Sequence, residues 1–169
     1  AAVVLAGNAG GRSAVRALGG ESPLTTLNVT HATTQTRVHI DRLGFSVLVP
    51  TGWIEYRLEP PEGAPTVTFI SPDRTEELVV SSAPNLEAAR TDAGSGDAVL
   101  TDVEDDPAAK ELVYSTSART SWRRIVPGAG SPAPSVYWTV TLSVPEAAAG
   151  AASERLHDRL ADGFVAPAQ

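Results

Sequence analysis

A chain of 169 residues, 42% hydrophobic and 20% charged, is long enough to bury one core and too apolar to remain disordered. With 13 Lys+Arg against 20 Asp+Glu it carries a formal charge of −7, which argues against a nucleic-acid backbone as partner. It has no cysteine, which excludes disulfides, thiolate catalysis and Cys-ligated metal sites.

Residue 1 is not methionine, so a processed product or a fragment is expected. Residues 1–20 begin with a short apolar run, Ala1 to Ala6, and continue into Gly, Asn, Ser and Arg. The run falls short of the roughly 18 residues a membrane span needs. Residues 21–36 are rich in Thr without a clear period, so residues 1–36 read as a tail and linker with at most one edge strand. From Arg37 the period becomes 2. Phe45, Val47 and Val49 alternate with Ser46 and Leu48 up to a Pro50-Thr51-Gly52 turn. Ile54, Tyr56 and Leu58 follow against Glu55, Arg57 and Glu59. Val67 and Phe69 lead to a Ser71-Pro72-Asp73 turn, and Leu78 to Ala83 is a more uniformly apolar run, as a central strand would be. Asn85 caps a short helix to about Asp92. Lys110–Ser117 and Thr120–Val126 read as neighbours of the strongest strand, Val136–Val144. There Val136, Trp138, Val140, Leu142 and Val144 share one face, and Tyr137, Thr139, Thr141 and Ser143 the other. Pro145-Glu146 opens a long helix whose stripe is Ala149, Ala152, Leu156, Leu160 and Phe164, with Gly163 as its stop. Six to eight mostly antiparallel strands with one long C-terminal helix packed on one face make an α+β domain over residues 37–166, not a βαβ series.

No catalytic constellation emerges from the residues. His157 has alanine four positions on, so the helix offers no two-His metal pair, and the expected metal and cofactor complement is none. His39 and Asp41 share a strand face, where the acid can orient the imidazole; they, or a carboxylate pair, are the groups a small hydrolase would use, and such an enzyme requires those groups to converge in one deep pocket. The glycine-containing segments lack both nucleophile-elbow and phosphate-loop spacing. Glu104-Asp105-Asp106-Pro107 reads as a solvated charge run. The best binding surface is Arg119, Trp122, Arg123 and Arg124: an arginine pair beside an aromatic can hold a carboxylate, a phosphate or a polysaccharide. Alternation puts Arg119 and Arg123 on one face and Trp122 and Arg124 on the other. Tyr137 extends the first face if the two strands pair.

The segment Leu43-Gly44-Phe45-Ser46-Val47-Leu48-Val49-Pro50-Thr51-Gly52-Trp53 resembles the Gly-[Phe/Tyr]-x-[Val/Leu]-x-[Val/Leu]-Pro-x-Gly-Trp opening of small extracytoplasmic actinobacterial domains with the PsbP-like α/β fold. Val67 to Asp73 looks like that family's second hairpin. Glu111 to Thr116 and Trp122 to Val126 look like its central strands, and Val136 to Phe164 like its ending. Such domains occur in secreted lipoproteins, in C-terminal tails of membrane-anchored Ser/Thr protein kinases and in type VII secretion-associated proteins. The resemblance implies a non-catalytic extracytoplasmic binding or sensing module, joined to the membrane only through an upstream anchor of which Ala1 to Ala6 would be the stub. Its partner would be a cell-wall or lipid ligand, or an envelope protein if the module is an accessory of type VII secretion. No functional residues carry over from the family.

Overall fold

The structure, a computed structural model, describes residues 34–91, 99–102, 110–130 and 132–168. The compact unit begins at Gln35. Its strands are β1 (Thr36–Ile40), β2 (Ser46–Pro50), β3 (Ile54–Leu58), β4 (Thr66–Ile70), β5 (Glu77–Ala83), β6 (Val99–Asp102), β7 (Glu111–Ser115), β8 (Arg119–Pro127) and β9 (Tyr137–Pro145). Two helices, α1 (Leu86–Thr91) and α2 (Ala151–Asp162), complete it. The domain is α+β, its sheets are antiparallel, and α2 closes the chain as expected.

Among the described residues seven strands form one sheet in the order β3-β4-β5-β9-β8-β7-β6, and β1 pairs with β2 alone. The sheet is therefore two meanders, β3-β4-β5 and β6-β7-β8-β9, sewn together where β5 meets β9. The register explains the composition of β9. Val140 lies between Val80 and Arg124, and Leu142 between Leu78 and Trp122. Leu142 thus joins an apolar row of Phe69, Leu78, Trp122 and Val113, whereas the row of Val140 is apolar through Val67 and Val80 and then meets Arg124. Thr139 and Thr141 point the other way, beside Ser81 and Val79.

The apolar side is covered by α2 and the β1–β2 ribbon. Phe45, Val47 and Val49 come from the ribbon, Leu156 and Leu160 from α2, and Val67, Phe69, Leu78, Val80, Val140 and Leu142 from the sheet. Most are fully buried, and each contributes about 1.5–3 kcal/mol relative to exposure. Phe45, Trp138 and Phe164 form an aromatic cluster with centroids 5.3–6.1 Å apart, which locks ribbon, sheet and C-terminal segment together. After α2 the chain pairs with the ribbon: Ser46 N donates to the Val165 carbonyl at 3.0 Å, and Val165 N to that of Ser46 at 2.9 Å. A smaller cluster on the opposite side, Ala89, Leu112, Tyr114 and Ile125, is capped by α1.

The Pro50–Trp53 turn is closed by Trp53 N donating to the Pro50 carbonyl at 3.2 Å. Gly52 sits at its third position with φ +91°, where a side chain is disfavoured; this is the physical content of the Pro-x-Gly-Trp motif. Asn85 caps α1 through its side-chain oxygen, which accepts from Ala88 N at 2.7 Å.

Three elements differ from the expectation. The strand β6 falls in a stretch the pattern left unassigned, and β1 opens within the linker's last residue. The final helix does not start at Pro145, which is still paired to Arg119 as the end of β9. A 3-10 turn over Glu146–Ala148 follows, Ala149 is extended, and the α-helix begins only after Gly150, a poor helix former. Ala149 and Phe164 lie outside that helix yet still pack on the core; the helix stops at Gly163 as expected, and only its start was misplaced.

Candidate functional site

The strand β8 splits the five candidate binding residues in two. Arg119 and Arg123 lie with Tyr137 on the side of the sheet facing away from α2, because Tyr137 pairs with Pro127 in the same register. Trp122 is 8% exposed and belongs to the core beside Leu142, so it is a packing residue and not part of a surface. Arg124 lies under α2.

The face away from α2 carries a groove of about 320 Å³. Its floor is hydroxyl-rich: Thr66 of β4, Ser81 of β5, Thr139, Thr141 and Ser143 of β9, and Ser121 of β8. Ala88 and Ala89 of α1 form one wall. Thr66, Ser81 and Thr139 are direct cross-strand neighbours and make a continuous row. Arg123 is fixed at the edge of this floor. Its Nε donates to Thr141 Oγ1 at 2.9 Å, its Nη1 to the Ala89 carbonyl at 2.9 Å, and its guanidinium lies 5.2 Å from the Tyr114 ring centroid. Arg119 donates from Nε to Ser143 Oγ at 2.9 Å and from Nη2 to the Thr75 carbonyl at 2.8 Å. Tyr137 packs into the α1 cluster beside the groove. The arginine pair and the tyrosine are thus brought to one polar, preorganised face.

The edge of that face is apolar. Ile54, Tyr56 and Leu58 project from β3, the last strand of the sheet, with 58%, 51% and 66% of their surface exposed. Their partners on β4 are Ile70, Thr68 and Thr66.

A second cluster surrounds Asp41, buried at the end of β1. Arg57 grips it with two nitrogens, at 2.7 and 3.0 Å. His39 Nε2 donates at 2.9 Å and Leu43 N at 2.9 Å. Burial alone would raise the Asp41 carboxyl, but the Arg57, His39 and Leu43 hydrogen bonds overturn that and hold it well below the usual carboxylate range. The bond to Asp41 in turn raises the Arg57 guanidinium above its ordinary value. Arg57 also touches Glu55 and Glu59, and the His39 ring packs edge-on against Phe69 at 4.9 Å. His39 and Asp41 are therefore adjacent, as their spacing suggested. They do not line either groove, and both Asp41 oxygens are saturated. The arrangement serves to clamp the ribbon to β3.

A third group lies in a groove of about 400 Å³ between α2 and strands β7 and β8. Arg124 bonds Glu111 and Asp162 and stands 3.7 Å from Asp158. Desolvation raises the Glu111 carboxyl, against the pull of Arg124. His157 is 1% exposed, and its Nε2 faces the Val140 carbonyl at 3.2 Å. Desolvation pushes its imidazole down to about 4, with a smaller push from Arg124.

The pattern reading missed this third group and the Arg57 clamp. Their members come from strands and helices far apart in the chain, and no spacing within one element announces them. His31, the Glu104–Pro107 acids and the Gly94–Gly96 segment lie outside the described residues. No protein-family model matches the chain, and no curated protein matches it.

Proposed function

We propose that this domain is a non-catalytic binding or sensing module of the extracytoplasmic face of an actinobacterial membrane-anchored protein, holding its ligand on the open side of the sheet. The observation that carries the reading is the hydroxyl-floored groove with Arg123 held rigid at its edge and Arg119 and Tyr137 beside it. Hydroxyls and a fixed guanidinium suit a cell-wall glycan fragment or a lipid headgroup, whose polar oxygens such groups recognise. The two described histidines, His39 and His157, bear on the enzyme alternative. Among the described residues neither accepts a bond from a serine or threonine hydroxyl, the contact a hydrolytic nucleophile needs.

The test is a set of amide spectra of the labelled chain titrated with soluble peptidoglycan fragments and, separately, with vesicles of anionic and neutral lipid. The reading expects shifts concentrated at Ser81, Ser121, Arg123, Thr139 and Thr141, reduced in an Arg123→Gln variant. Silence at these positions with every probe, or shifts centred on His39 and Asp41, would overturn it.

A second reading, a protein-interaction accessory domain of type VII secretion, draws on the edge strand β3. A strand that, among the described residues, has a partner on one side only and carries three exposed apolar side chains is suited to pairing with an extended segment of another envelope protein. A Tyr56→Lys variant separates the two: it abolishes protein capture if β3 is the contact and leaves groove shifts intact if the ligand is small.

A further inference from the structure

We propose that Glu111, His157 and Asp158 form a binding site for one divalent transition-metal cation of the zinc type, in the groove between α2 and strands β7 and β8. Acidic groups alone would not suggest this; the imidazole does. His157 is fully packed, and its Nε2 faces a backbone carbonyl, which only accepts, so the ring proton sits on Nε2 and the lone pair on Nδ1. Nδ1 faces Asp158 Oδ1 at 3.8 Å, and no described residue donates a hydrogen bond to it. Two acceptors therefore confront each other at the end of a buried ring, a placement that a cation between them resolves. A carbonyl bond to the remote nitrogen is also the usual device that orients a metal-ligating histidine.

Glu111 completes the set from β7, with donor atoms of all three residues within 4.8 Å of one another. A zinc sphere needs donors closer than that, at bonds of roughly 2.0–2.2 Å. The imidazole is fixed, but the Glu111 and Asp158 side chains are about half exposed, at 52% and 51%, and have freedom to close in. One imidazole nitrogen with two carboxylate oxygens favours zinc-like ions over calcium or magnesium, which take oxygen alone.

Arg124 is the internal competitor. It now occupies Glu111 and Asp162. Four carboxylates, Glu111, Glu154, Asp158 and Asp162, line the groove against this single guanidinium, so the groove stays net negative after Arg124 is counted. A metal takes Glu111 from Arg124 and leaves it Asp162. Bound there, the ion would tie the C-terminal helix to β7 through Glu111 and raise the melting temperature by mass action.

The experiment titrates the chelator-stripped full chain with zinc chloride by calorimetry and follows the imidazole nitrogens by NMR. The expected result is one equivalent bound at this site, with the His157 Nδ1 resonance shifted and the Nε2 proton retained. Affinity should fall at least tenfold in Asp158→Asn and in Glu111→Gln, both of which alter half-exposed side chains and leave the core packed. It should rise several-fold in Arg124→Gln and stay unchanged in His39→Gln. Zinc binding that survives Asp158→Asn and Glu111→Gln, or that disappears in His39→Gln, overturns the proposal, as does the absence of binding.

Discussion

The clamp between Asp41 and Arg57 makes a prediction with an asymmetry that pair energies alone would not show. The Asp41 side chain has no exposed surface, whereas 22% of the Arg57 side chain reaches solvent. Arg57→Met removes two of the four hydrogen bonds to a buried carboxylate and leaves it with only His39 and Leu43. Orphaning a buried charge in this way costs about 3–5 kcal/mol. Asp41→Asn leaves Arg57 bonded to Glu55 and Glu59 and open to water, so its loss is smaller, about 1–3 kcal/mol. In the double variant no charge is stranded, and the two losses fail to add by about 2 kcal/mol. Urea unfolding at pH 7 of the wild type, both singles and the double measures all four corners. The carboxyl also sets a pH signature. Because the folded state holds Asp41 below its unfolded value, its contribution is present above about pH 4 and is lost as pH falls beneath that. Additive losses, or an Arg57→Met variant within 1 kcal/mol of wild type, would refute the reasoning that this carboxylate depends on its guanidinium.

Two further outcomes follow from the core. His157 is neutral when folded and titrates near 4 against about 6.5 unfolded, so its contribution is intact above about pH 6.5 and declines as pH falls toward 4. The groups facing it are Asp158 and Asp162 on α2, Glu111 on β7 and Arg124 on β8. Chelated protein should lose about 2 kcal/mol between pH 7 and pH 5, and a folded His157→Gln variant should lack that slope in paired urea titrations; an equal slope in both would locate the pH dependence elsewhere. At Gly163 an added Cβ would lie 2.4 Å from Leu48 Cγ. Gly163→Ala should therefore cost about 1–3 kcal/mol by thermal melt, and most of that cost should vanish in a Leu48→Ala background.

The fold was legible where apolar and polar residues alternate. In β9 Val140 and Leu142 join the core beneath α2 while Thr139 and Thr141, also buried, face the groove, and a strand's period of 2 leaves no second register that puts the same apolar set in that core. The weakness was at element ends. Ala149 and Phe164 carry the apolar signal of the final helix, yet both contact the core from non-helical backbone. Hydrophobic spacing reports which residues must be buried, and only propensity and capping report where the helix begins; here Gly150 decides it. The short strand β6 has four residues, too few for a period of 2 to stand out between the polar segments that flank it in sequence.

The sites were less legible, and Arg124 shows why. Within β8 it follows Trp122 and Arg123 directly, and with Arg119 these residues read as the best binding surface, already divided between two faces by alternation. The pleat sends Arg123 to the open groove and Arg124 beneath α2, where its partners are Glu111 from β7 and Asp162 from α2, residues 13 and 38 positions away. Alternation correctly predicts the separation of the two arginines, since it depends only on local backbone geometry. It says nothing about what each arginine meets, because that depends on a crossover from β5 to the far edge of the sheet and on how a helix lies across three strands. The same distinction applies to His157. Its spacing three residues before Leu160 places it next to the buried stripe, but the cluster it forms with Asp158 and Glu111 exists only once β7 is brought under the helix. Chemistry carried within one strand or one helical turn is thus open to inspection from the residues, while chemistry assembled across the sheet has to wait for its topology.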